Sequence, residues 1–128
     1  MAEYTPVYSG GVRPFSRTAS AAVIGGRLVE TTTAGSVGPA GAGSLKVEGV
    51  AAFDAGIGAR VTVWPLNNAT HEIDSAAAIA VGDGIAAGAA GTIATIGIAV
   101  GAAAGSLIGE AISAAGAGGV KTRFIGRS

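Results

Sequence analysis

From Gly84 to Gly109 the chain runs for twenty-six residues without a charge. That is long enough to cross a ~30 Å hydrocarbon core as one helix. Glycines stand at positions 97, 101, 105 and 109 of this run, the every-fourth spacing that lines one helix face and lets membrane helices approach closely. The energetics oppose a helix. Only Ile85, Ile93, Ile96, Ile98, Val100, Leu107 and Ile108 are strongly apolar, and at about 0.3–0.6 kcal/mol each they favour insertion by roughly 2–4 kcal/mol before any polar cost. Asp83 and Glu110 bracket the run, no Lys or Arg lies between Arg60 and Lys121 to set an orientation, and Trp64 is too distant for an interfacial belt. A helix in water is no better, because four glycines cost it about 4 kcal/mol relative to alanine. Short strands with glycine corners are the least costly account, and a helical turn at Ala102–Ala104 or Glu110–Ala115 is compatible with it.

The apolar residues lean the same way: twelve Val and eleven Ile stand against four Leu. β-Branched side chains lose rotamer freedom in helices and suit a pleated surface. At 128 residues the chain is sized for one domain. Its core is modest, since 29 Ala and 23 Gly bury little area each, and self-association is an expected source of added stability.

Along the chain, Tyr4, Pro6, Tyr8, Pro14 and Phe15, with Arg13 and Arg17, read as an extended arm over residues 1–20. Such an arm either docks on a partner or folds back over its own domain. Residues 21–128 read as a single compact β domain. Gly25-Gly26 between two apolar runs predicts a hairpin over 22–30, and TTTAGSVGPAGAGS a polar loop. LKVEGVAAF and RVTVW alternate with period two, with Val61 and Val63 on one face and Thr62 and Trp64 on the other, and Pro65 ends the second strand. NNATHEIDS reads as a polar loop. Gly82-Asp83-Gly84 marks a turn between Ile79, Val81 and Ile85, and VKTRFI a last strand with Val120, Thr122 and Phe124 opposite Lys121, Arg123 and Ile125. Recurrent turns between short alternating runs predict an all-β fold, a small β-barrel or β-sandwich-like domain with at most one short helix.

Several chemistries find no support. Eight basic and eight acidic side chains leave no net charge to hold nucleic acid or an anionic membrane surface. With no cysteine there are no disulfides, thiolate nucleophiles or cysteine-metal sites. MAEYTPVYSGG has no basic patch ahead of an apolar stretch, so export is not expected, and Asn68-Ala69-Thr70 reads as a polar turn despite matching a glycosylation sequon. His71 is the only histidine, and HEID lacks the second one that a zinc-protease motif requires. A weak metal site or small enzyme built on His71, Glu72 and Asp74 is a third reading, and a solvated loop there the stronger one. GDGIAAG and GAGGVK miss the phosphate-loop patterns. No catalytic constellation, cofactor site or metal site is predicted.

Three stretches resemble the small capsid decoration proteins of tailed bacteriophages, the cement or head-stabilising family. SLKVEGVAAFDAGIGARVTVW is similar to that family's strand, turn and second strand, IAVGDGIAAGAAGTIA to its turn entering a new apolar strand, and SLIGEAISAAGAGGVKTRFI to its closing segment. The resemblance spans residues 44–125. It implies a compact β domain, commonly a homotrimer, that adds to the exterior of an assembled capsid and bridges neighbouring subunits of the major capsid protein without catalysing a reaction. The virion would be its final place, and the host cytoplasm its place during assembly. On that reading the arm residues Tyr4, Pro6, Tyr8, Arg13, Phe15 and Arg17 are the candidate shell contacts. The alternative is a glycine-zipper membrane-associated protein with a helix around 84–109.

Overall fold

The computed structural model describes residues 3–97 and 105–126. These form ten strands: β1 (Phe15–Ala19), β2 (Leu28–Thr33), β3 (Ser36–Pro39), β4 (Val47–Ala51), β5 (Arg60–Pro65), β6 (Thr70–Asp74), β7 (Gly84–Ala87), β8 (Ile93–Ile96), β9 (Gly109–Ala111) and β10 (Lys121–Gly126). Among the described residues the helical content is one 3-10 turn, Ala89–Gly91. The fold is all-β, as the β-branched bias and the alternating runs predict.

The strands make two bodies. β1-β3-β2-β4-β5 close into a barrel in which β1 and β3 run parallel and every other pair antiparallel, with β5 returning to pair with β1 from Phe15–Val63 to Thr18–Arg60. β6-β10-β9-β7-β8 form a second, antiparallel sheet. A single parallel bridge, Ser75 with Ile93, ties its far strand back to the residue after β6.

Alternation along β2 and β4 joins the bodies. Successive side chains on a strand point to opposite faces, so Val29 and Ala51 enter the barrel with Ala19, Val37, Val61 and Val63. Their neighbours Leu28 and Val50, cross-strand partners, face the second sheet and pack with Ile73, Ile85, Ile93 and Phe124. Strands buried on both faces carry apolar residues consecutively, which is why Leu28-Val29 and Val50-Ala51 stand as pairs. Gly49 is imposed by the close packing of this wall: a Cβ there would lie 2.1 Å from the carbonyl oxygen of Trp64 on β5.

Several expectations need correction. The helix read as the alternative over 84–109 is absent where the chain is described. Gly84–Ala87 and Ile93–Ile96 pair antiparallel, from Gly84–Ile96 to Ala87–Ile93. Gly109 is small for a strand reason, since its Cβ would stand 2.4 Å from the carbonyl oxygen of Ile125 on β10. Residues 98–104, with Gly101 and the Ala102–Ala104 turn, lie outside the described residues, and Glu110–Ala115 holds no helical turn. No helix among the described residues is long and apolar enough to cross a membrane.

Residues 15–19, read as part of the arm, form β1. Phe15-Ser-Arg-Thr-Ala follows the last proline of that region and has every backbone N–H available to the ladder, so the barrel takes it in. Gly25-Gly26 does turn the chain, with Gly26 at φ 82°, but it makes no hairpin. Val23 bridges Ala55 whereas Leu28 pairs with Val50. The hairpin is instead in the segment read as loop, where β2 and β3 fold about Ala34-Gly35 with Gly35 at φ 73°. THEID, also read as loop, is β6, because its period-two pattern finds a partner in β10. The alternation read in RVTVW and VKTRFI is present except at Val120, which precedes β10 and is 45% exposed: Val61, Val63, Thr122 and Phe124 are buried, and Lys121, Arg123 and Ile125 exposed.

Candidate functional site

The segment before β1 has no strand of its own, yet it is fastened to both bodies. Glu3 bridges Phe53, just after β4, and the Tyr4 N–H donates to the Ala52 carbonyl at 2.7 Å. Four residues later Tyr8 bridges Thr70: the Thr70 N–H donates to the Tyr8 carbonyl at 2.8 Å, and the Val7 N–H to the Thr70 carbonyl at 2.9 Å. Residues 3–8 are a strap running from the barrel to the outer edge of β6. Of the two outcomes open from sequence, docking on a partner or folding back over its own domain, the described structure shows the second.

Tyr4 is the anchor. Its ring stacks on His71 at 5.8 Å between centroids and 19° between planes, and His71 in turn lies 5.8 Å from Phe124. The ring nitrogens of His71 are both engaged. Nε2 lies 2.8 Å from the Pro65 carbonyl, and since a carbonyl only accepts, the proton belongs on Nε2. Nδ1 therefore accepts, and it receives the Tyr4 hydroxyl at 2.6 Å. The same hydroxyl oxygen accepts the Glu72 N–H at 3.2 Å. Burial holds His71 below the ordinary histidine range, against the smaller opposing effect of its bond to Pro65, so the ring is kept neutral. Burial likewise pushes the Tyr4 phenol up. His71 is fully buried, a core residue and not the solvated loop residue read from sequence.

Alternation on β6 sends Glu72 and Asp74 to the other face. Glu72 accepts Arg123 Nε at 2.9 Å, and Asp74 lies 3.4 Å from Lys121 Nζ and 3.6 Å from Arg27. Glu72 thereby holds the Arg123 guanidinium above its usual range. The trio His71, Glu72 and Asp74 does not converge, and no group of three His, Cys, Asp or Glu among the described residues is placed to hold a metal ion.

That outer face carries the surface most suited to a partner. Residues directly opposed across a sheet share a face, so the pairings Tyr8–Thr70, Thr70–Ile125, Ile125–Glu110, Glu110–Gly84 and Gly84–Ile96 set one row across the strap and all five strands. Tyr8 is 68% exposed in this row and Ile125 45%. Beside them lies Arg123, within electrostatic reach of Tyr8. Ile112, 42% exposed, donates its N–H to the Arg123 carbonyl. Tyrosine and arginine beside exposed aliphatics are the residues enriched at interface centres.

The six arm residues named from sequence are divided by the structure. Tyr4 is the partly buried anchor just described. Phe15 packs against the barrel core, and Arg17 lies over its ring at 4.4 Å while pairing with Glu48 at 2.9 Å. Tyr8 and Arg13 are exposed and Pro6 half-buried. The outer-face residues Ile112, Arg123 and Ile125 were not among the candidates. The alternation of VKTRFI carried the signal for two of them, by leaving Ile125 on the face of Lys121 and Arg123.

No known protein-family model matches the chain, and no curated protein matches it. Among solved structures it is similar to the crystal structure of the head fiber gp8.5 N base in bacteriophage phi29, with a TM-score of 0.67 and 23% identity, covering 91% of this chain and 95% of that one. At such identity the likeness concerns the backbone architecture: the two chains share a fold.

Proposed function

We propose that this chain is a non-enzymatic structural protein of a bacteriophage virion that binds the exterior of the assembled head and stabilises it by bridging neighbouring subunits of the major capsid protein. The observation that carries the reading is the fold shared over 91% of the chain with the base of a phage head fiber. The outer-face row supports it with an exposed Tyr8–Arg123–Ile125 surface. Assembly as a homotrimer belongs to the same proposal, because a modest core gains stability from subunit burial by mass action. Many copies across subunit boundaries hold a shell even when each contact is weak.

The contact surface differs from a free arm. Tyr4, Phe15 and Arg17 serve the fold, so among the arm residues Tyr8, Arg13 and the half-buried Pro6 are left to meet the shell, together with Ile112, Arg123 and Ile125. The test is co-sedimentation of the purified chain with assembled heads that lack it, set against unassembled capsid subunits. Binding is expected to heads only, and to be lost in Tyr8→Ala/Ile125→Glu at an unchanged urea midpoint. Undiminished binding by that variant would remove the outer face from the proposal, and no binding to any head would remove the proposal.

A further inference from the structure

The catch between Tyr4 of the strap and the one histidine of the chain is a device that the proposed role, which draws on Tyr8 of the strap, does not itself use. Three bonds meet at the Tyr4 hydroxyl and the His71 ring, and each depends on the others. Nε2–H must donate to Pro65, Nδ1 must accept from Tyr4, and the Tyr4 oxygen must accept the Glu72 N–H. A second proton on the imidazole would sit on Nδ1, facing a hydroxyl that is itself a donor in that direction. The bond could then persist only if the hydroxyl turned its own proton away and its oxygen accepted from Nδ1–H as well as from the Glu72 N–H.

Among the described residues, burial outweighs the one contact that favours a positive ring, the Nε2–H bond to the Pro65 carbonyl. Facing the ring are Tyr4 from the strap, Phe124 from β10 and the Pro65 carbonyl at the end of β5. The carboxylates of β6 itself, Glu72 and Asp74, lie on its opposite face and are paired with Arg123, and with Lys121 and Arg27. The rest of the strap is weakly held, resting on the backbone bonds at Ala52 and Thr70 and on an exposed Tyr8.

We propose that residues 3–8 are a releasable clasp whose catch is the Nε2–H tautomer of His71, and that protonating this ring in mild acid frees the strap and uncovers the outer edge of β6 while the barrel stays closed. The barrel is separable because none of the buried polar residues among those described, Thr70, His71, Ser75, Ser106 and Thr122, lies on its strands. The direction follows from linkage. The open clasp takes up a proton at the ordinary histidine value and the closed clasp resists it, so each pH unit below about 6.5 shifts the balance toward open by up to about tenfold until the closed-state value is reached.

Amide hydrogen exchange of the intact chain, corrected for the intrinsic effect of pH, tests this between about pH 7.5 and about pH 5. The amides of Tyr4, Val7 and Thr70 report the strap, those of Val61 and Val63 the barrel, and the single imidazole resonance reports His71 directly. The expected result is loss of strap protection alone, with a midpoint that coincides with the titration of the imidazole. Parallel loss in strap and barrel overturns the proposal, as does strap protection that persists once the imidazole has titrated, or an imidazole that titrates only on global unfolding. His71→Gln, whose amide can still donate to Pro65, should make strap protection independent of pH. If that variant does not fold, coincidence of the two midpoints in the natural chain decides alone.

Discussion

Replacing Gly49 by alanine tests the claim that the wall between the two bodies is set by backbone approach. The added carbon would stand 2.1 Å from the Trp64 carbonyl oxygen, 2.9 Å from its carbon and 2.9 Å from Val63 Cγ1. Ordinary contact starts at 3.4 Å, so β4 and β5 must part by about 1.3 Å at this point. A backbone carbonyl inside a closed barrel cannot swing aside as the end of a long side chain can. Overpacking of this kind costs about 1–3 kcal/mol, and weakening the adjoining Gly49–Pro65 and Val50–Trp64 pairings adds about 0.5–1.5 kcal/mol for each hydrogen bond lost. Alanine recovers about 0.4–1 kcal/mol by stiffening the unfolded chain, which leaves a net loss of roughly 2–4 kcal/mol. For a domain of this size that lowers the melting temperature by roughly 10 °C. Urea unfolding followed by circular dichroism and by Trp64 fluorescence measures it, with Gly116→Ala as control, since a Cβ at Gly116 meets nothing within 4 Å. If Gly49→Ala stays within about 0.5 kcal/mol of the natural chain, or if Gly116→Ala is destabilised as much, the close-approach argument is wrong.

Three further outcomes are expected. Tyr4→Phe keeps the stacked ring but deprives His71 Nδ1 and the Glu72 N–H of their shared partner, and should cost about 1–3 kcal/mol in urea unfolding at neutral pH. Phe124→Ala, which empties the centre of the second sheet's core, should cost about 3–5 kcal/mol by the same measurement. In acid, unfolded His71 takes up its proton near pH 6.5, while burial holds the folded value lower. Between the two values the unfolded chain binds more protons, so the urea midpoint should fall as the pH drops from about 7 toward the folded value. A midpoint that is flat or rises over that range refutes the burial of His71 as a neutral ring.

The amino-acid order by itself determined the class of fold and much of its surface. Val and Ile outnumber Leu because strands tolerate β-branching, and Val61/Val63 and Thr122/Phe124 face inward because alternation is a local property of an extended backbone. The turns at Gly26 and Gly82 are equally local, each with positive φ. What pairs with what was settled only in three dimensions. Gly25-Gly26 turns the chain without making a hairpin because Leu28 finds Val50, more than twenty residues away. HEID becomes β6 because β10 offers Arg123 and Lys121 to its outer acids and Phe124 to its inner histidine. The candidate surface divides along the same line. Exposure of Ile125 beside Arg123 follows from period two, but Tyr8 joins them through its backbone bonds to Thr70 and the catch of Tyr4 on His71, and a contact across 67 positions leaves no trace in local spacing. Periodicity acts through the few bonds between neighbouring residues, whereas register is chosen by the total of hydrogen bonds and buried contacts that distant segments gain together.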